Sequence, residues 1–254
     1  MLPGTGTRKR SVRMRRLLLA LAFLALASPG WATLGYDTFS TNGISEDDPS
    51  WLHTPVGDPR AAIVLCRGTA VPSSMTYGGT SLTLSPSGGT ADIGTGELTG
   101  AILSAWHLGA SISTGAQTVA VTTPSTATAY CHCVTVTGAA DTEVSDDDNT
   151  VGSTSETNPS VTLEVDSKTS FAVILFASGK NAVTDLTPFT NWTDRDEMDF
   201  GSQTRAMYTY DIIANSDITA GWTQATEDGL MIAIAVAELA SAAPSQLMLM
   251  GVGD

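Results

Sequence analysis

After residue 33 the chain is dominated by eight short runs of β-branched or alternating apolar residues, each closed off by Gly, Pro, Asn, Asp or Ser. The runs are 61–66 (AAIVLC), 101–108 (AILSAWHL), 117–122 (QTVAVT), 130–137 (YCHCVTVT), 160–165 (SVTLEV), 170–177 (SFAVILFA), 205–213 (RAMYTYDII) and 230–238 (LMIAIAVAE). None carries the 3.6-residue apolar spacing and capping residues of a helix. Eight strands at such spacing predict an all-β fold, two antiparallel sheets packed as a β-sandwich, within one domain over residues 33–240. Runs 171–176 and 231–236 are apolar on both faces and are predicted to be central strands.

The first 32 residues have another character. Arg8, Lys9, Arg10, Arg13, Arg15 and Arg16 precede LLLALAFLALA at 17–27, and small residues follow at 28–32. A basic cluster, an apolar run and a small-residue site are the layout of an export signal, here a signal-like helix. The run spans about 11 residues, short of the roughly 20 a spanning helix needs. Residues 1–32 therefore read as a signal peptide or hydrophobic anchor, and the mature form as secreted, without a membrane span.

Beyond that leader the chain holds 26 acidic and only six basic side chains. Such a surface repels phosphate backbones, which argues against nucleic-acid binding. Segments 85–100, 139–159 and 181–203 are poor in apolar residues and are predicted to be surface loops. A tail, 241–254, follows the last run and contains Leu247-Met248-Leu249-Met250. It reads as a disordered terminus or as a strand donated to a neighbouring copy, which would give self-assembly.

Several segments taken in order resemble a loosely defined family of β-sandwich domains found in bacterial secreted proteins and in phage structural or tail-associated proteins. They are WLHTP at 51–55, PRAAIVL at 59–65, MTYGGTSLT at 75–83, AWHL at 105–108, TVAVT at 118–122, VTVTG at 134–138 and MIAIAVAEL at 231–239. The resemblance spans roughly residues 48–240, and Tyr77-Gly78-Gly79 is its most specific piece. It implies a jelly-roll-like sandwich with a structural or adhesive role, at the cell exterior or in a virion, and offers no catalytic motif.

Residue by residue, the chemistry is sparse. Gly78-Gly79 lies between two short strands, 74–77 and 80–84, and fits a two-residue hairpin turn better than a phosphate cradle, which wants a helix after it. No Gly-x-Ser-x-Gly elbow occurs, and the three histidines lie in strand-like segments. Trp51, His53, Trp106, His107 and Trp192 could form an aromatic platform for a glycan. Asp194, Asp196, Glu197 and Asp199 hold enough oxygens for Ca²⁺, and Asp146 to Asp148 is a second acidic group; solvated loop charge is the plainer reading of both.

Cys131-His132-Cys133 invites a zinc reading, but a structural zinc site gathers four ligands. In a strand, Cys131 and Cys133 share one face and His132 takes the other, so one ion does not reach all three. After export, Cys66 could pair with Cys131 or with Cys133, leaving one thiol, or all three could stay reduced in the core. The sequence thus leads to a non-catalytic module without an obligatory cofactor, and secondly to a secreted glycan-active enzyme using acidic loop residues.

Overall fold

A computed structural model describes residues 35–84, 90–92, 101–109 and 112–138, together with strand segments 149–156, 160–163, 170–178, 187–188, 193–200, 203–212, 218–223 and 227–237. Residues 1–32, read from the sequence as a signal peptide or anchor, residues 241–254, Trp192 and Asp146 to Asp148 lie outside them.

The described residues are all-β and antiparallel, and contain no helix. In chain order the strands are β1 (Gly35–Thr41), β2 (Ser50–His53), β3 (Pro59–Gly68), β4 (Ser74–Tyr77), β5 (Thr80–Ser81), β6 (Thr83–Leu84), β7 (Thr90–Asp92), β8 (Ile102–Gly109), β9 (Gln117–Thr122) and β10 (Ala129–Thr137). They continue with β11 (Asn149–Glu156), β12 (Ser160–Leu163), β13 (Ser170–Ser178), β14 (Thr187–Pro188), β15 (Thr193–Phe200), β16 (Gln203–Ile212), β17 (Ile218–Thr223) and β18 (Glu227–Ala237).

A first sheet runs β1-β10-β3-β8-β6, with β7 also on β8, and a second runs β2-β9-β4-β5. They pack face to face. Ala62, Val64 and Cys66 of β3, Trp106 of β8 and Cys131 and Cys133 of β10 meet Met75 and Tyr77 of β4 and Val119 and Val121 of β9 in one buried cluster. The alternate residues of the first sheet, Ile63, Leu65, Leu103, Tyr130, Val134 and Val136, are also buried. Its central strands are therefore covered on both faces, which is why 61–66 and 130–137 read as near-continuous apolar runs. A five-stranded sheet, β11-β18-β13-β16-β15, lies against it through β18 and β13, and a small sheet, β12-β17-β14, pairs separately.

The Gly78-Gly79 hairpin is as expected. Both glycines have positive φ, 57° and 83°, the pair of left-handed conformations of a type I′ turn. The return strand, predicted as one piece over 80–84, is two. β5 pairs with β4, Leu82 donates its N–H to the Met75 carbonyl and fills the core, and β6 then pairs with β8 in the other sheet. The hairpin thus turns the corner between the two sheets. Gly78→Ala is expected to cost about 1–2 kcal/mol, because a Cβ there has the wrong handedness and meets the Gln117 side chain; urea unfolding monitored by tryptophan fluorescence would measure it.

The three loop expectations are corrected. Segment 139–159 contains β11, and segment 181–203 contains β14 and β15, so Asp194, Asp196, Glu197 and Asp199 stand in a strand rather than a loop. Segment 85–100 likewise contains the short β7. The physical reason lies in the sheet order: β11 and β15 are the two edges of their sheet. An edge strand needs no apolar alternation, and charge along it discourages further pairing, so its sequence looks like a loop.

Candidate functional site

The densest polar chemistry among the described residues lies where β1, the edge of the first sheet, meets β2, the edge of the second. It begins with a bulge. Tyr36 is paired with Val136 and Thr38 with Thr135, leaving Asp37 as an extra residue on β1. A bulge re-aims the side chain it carries, and the Asp37 carboxylate takes a hydrogen bond from Thr135 Oγ1 at 2.9 Å and from the amides of Val56 at 3.2 Å and Gly57 at 2.6 Å.

From Asp37 a chain of donors runs back through the interior. Thr135 spends its proton on the carboxylate, so its oxygen accepts from His53 Nε2, 3.0 Å away. That fixes the tautomer: Nε2 carries the proton and Nδ1 is the acceptor. Ser40 Oγ, 2.8 Å from Nδ1, donates to it, and the indole N–H of Trp51 donates to Ser40 Oγ at 2.8 Å. The sequence Trp51, Ser40, His53, Thr135, Asp37 is thus one directed hydrogen-bond chain in which every proton has an acceptor.

His53 is completely buried, and burial lowers its pKa to about 4, against a smaller upward pull from Asp37. The ring is neutral at neutral pH, as the chain requires. Tyr77 packs against it, ring centroids 5.9 Å apart, and burial raises the Tyr77 hydroxyl well above its ordinary range. That buried hydroxyl has no hydrogen-bond partner among the described residues. Tyr77→Phe is therefore expected to be neutral or to stabilise by up to about 1 kcal/mol, read from the urea midpoint at constant slope.

A serine 2.8 Å from a histidine nitrogen also has the spacing of a nucleophile and its base. Here the donors an oxyanion would need point elsewhere. The Trp51 indole N–H donates to Ser40 Oγ, which itself donates to His53 Nδ1, and the amides of Val56 and Gly57 donate to Asp37. What the chain does is bind an edge strand of each sheet to the other.

The four described members of the aromatic platform do not share one exposed face, and Trp192 lies outside the described residues. His53 is inside, Trp106 is buried with its N–H on Ser104 Oγ at 3.2 Å, and Trp51 is half-buried against the core. His107 follows Trp106 on β8 and so projects from the opposite face of the sheet. Asp194, Asp196, Glu197 and Asp199 lie along β15, and Arg195 of the same strand has its guanidinium carbon 3.7 Å over the Tyr36 ring, joining β15 to β1. Among the described residues, no three His, Cys, Asp or Glu side chains are grouped to hold a metal ion.

The cysteines resolve by register. Cys131 stands directly opposite Cys66, their Cα atoms 4.1 Å apart, and the two form a disulfide. Cys131 bonds Asn42 with its N–H and its carbonyl, both on the β1 side. Facing β3 it therefore occupies a non-hydrogen-bonded position, where opposing side chains come closest. Cys133 faces Val64 instead and is a buried free thiol, its pKa pushed up by burial. His132 takes the other face, edge-on to Tyr130 at 4.8 Å.

Sequence reasoning singled out His53 but missed Asp37, Ser40 and Thr135. One trace was present: Trp51 and His53 alternate and so share one face of β2. The bulge that brings Asp37 to it is set by pairing with β10 and leaves no mark in GYDTFST. No protein-family model matches this chain, and neither a curated protein nor a solved structure is similar to it at a significant level.

Proposed function

We propose that the chain is a non-catalytic, exported β-sandwich module of jelly-roll-like form, with a structural or adhesive role outside the cell or on a virion. The observation that carries this reading is the hydrogen-bond chain from Trp51 to Asp37: among the described residues, the constellation with catalytic spacing is consumed internally in joining two edge strands. The signal-like leader and the Cys66–Cys131 disulfide both suit an oxidising compartment. The acidic edge strand β15 favours a surface that stays soluble at high local density. Ile44, Leu52 and Val56, large apolar side chains left more than half exposed in the segment carrying β2, supply contact area for a glycan-bearing surface or a neighbouring subunit.

The test is location. Mass spectrometry of purified particles, washed cell surfaces and culture medium is expected to find the chain in one of the first two, with its N-terminus near residue 33. Recovery only from the medium, with release of reducing sugar from polysaccharides, would overturn the reading in favour of a glycan-active enzyme. Ca²⁺ on Asp194, Asp196, Glu197 and Asp199 would be a ligand of the module, visible as a calcium-dependent rise in melting temperature.

A further inference from the structure

We infer that His53 is a proton-operated latch: a second proton on its ring releases β2 and the Val56-Gly57 turn from β1 and β10, while the remainder of the sandwich stays folded. The geometry allows one protonation state only. Trp51 is the single source of the chain and Asp37 its single sink, and each group between them gives one proton and takes one. A proton on Nδ1 turns that acceptor into a donor. Ser40 Oγ then faces two donors, the Trp51 indole and the imidazolium, and its own proton has lost its acceptor. The imidazolium would also be held in a fully buried position.

Among the described residues, the surroundings offer one compensating charge. Asp37 on β1 reaches the ring through Thr135 and favours the charged form, whereas Tyr77 on β4 and Cys133 on β10 are buried neutral groups. Burial outweighs Asp37, so the closed state prefers the neutral ring. Opening returns His53 to water, where its ordinary pKa is 6.5 against about 4 when closed. The sign follows: a depressed histidine pKa means that the open state binds more protons between these values, so opening is favoured as pH falls from 6.5 towards 4. From pH 7 to pH 5 the opening equilibrium should rise about twentyfold.

What would open is the joint between two edge strands, each hydrogen-bonded to a sheet on one side only. β3, β8 and β10, buried on both faces, need not move. A reporter already lies beneath the joint. Cys133, fully buried and free, is paired with Ser40 across β1 and β10.

The experiment is labelling of Cys133 in the full chain with 4,4′-dithiodipyridine between pH 7 and pH 4.5, each rate divided by that of the urea-unfolded chain at the same pH. The latch predicts a relative rate about twentyfold higher at pH 5 than at pH 7, changing less than twofold between 0 and 1 M urea. His53→Gln, uncharged throughout, should flatten the pH response. A rate independent of pH would overturn the inference. So would a rate climbing steeply with urea, which marks global unfolding, or the same pH response in His53→Gln. Should that variant not fold, the pH and urea series on the unaltered chain still decides the matter.

Discussion

Replacing both Cys66 and Cys131 with alanine is expected to lower the unfolding free energy by about 4 kcal/mol. The two residues are separated by 65 positions, and a cross-link closing a loop of that size removes a corresponding amount of chain entropy from the unfolded state. At this chain length the melting temperature should fall by about 8–16 °C. The double substitution is the cleaner test, because either single one leaves a second free thiol beside Cys133. Calorimetry under non-reducing conditions measures the effect, and an unchanged transition would show that the two sulfurs are not joined in the protein. Reduction of the unaltered chain should reproduce the loss, since it opens the same Cys66–Cys131 cross-link.

His53→Leu is expected to cost about 2–4 kcal/mol at neutral pH. The substitution keeps the side-chain volume near that of imidazole, so cavity formation is minor; the loss comes from the interrupted chain. Ser40 loses its acceptor, and the Thr135 oxygen loses its donor while its own proton stays on Asp37. Thr135→Val removes the same link from the other side and leaves Nε2–H buried without an acceptor. Combined, the two should cost less than the sum of the single effects, with a coupling of about 1–2 kcal/mol. Additive costs in a double-mutant cycle would mean that the two hydrogen bonds act independently and that the directed chain has no energetic reality. In His53→Leu the loss of stability between pH 6.5 and pH 4 should also shrink, because the group that binds protons on unfolding is gone.

Most of the strands were legible because their physics is local. β9 matches its run at both ends, and β3, β8, β10, β13, β16 and β18 contain or closely overlap theirs, since β-branched residues and turn residues mark where a buried strand can start and stop. The hairpin at Gly78-Gly79 was legible for a similar reason: two adjacent glycines are what a turn with two positive φ values requires. β11 and β15 were not, because an edge strand takes its conformation from the neighbour it pairs with. NTVGSTSE and TDRDEMDF carry no apolar alternation of their own.

The site divides along the same line. Period two alone placed Cys131 and Cys133 on one face and His132 on the other, and it put His53 on the same face as Trp51 without saying that this face is the interior. It left open which cysteine Cys66 would meet and gave no reason to connect Asp37, Ser40 and Thr135 with His53. Those answers depend on interstrand register and on the one-residue bulge at Asp37, and both arise only when β1, β3 and β10 pair. By itself the sequence determined the all-β class, the apolar strands, the tight turn and the facing of Cys131, His132 and Cys133, because these follow from local sterics and hydrophobic alternation. The tertiary structure decided which side chains stand opposite one another, because register is a long-range property, and both the disulfide and the His53 chain are consequences of register.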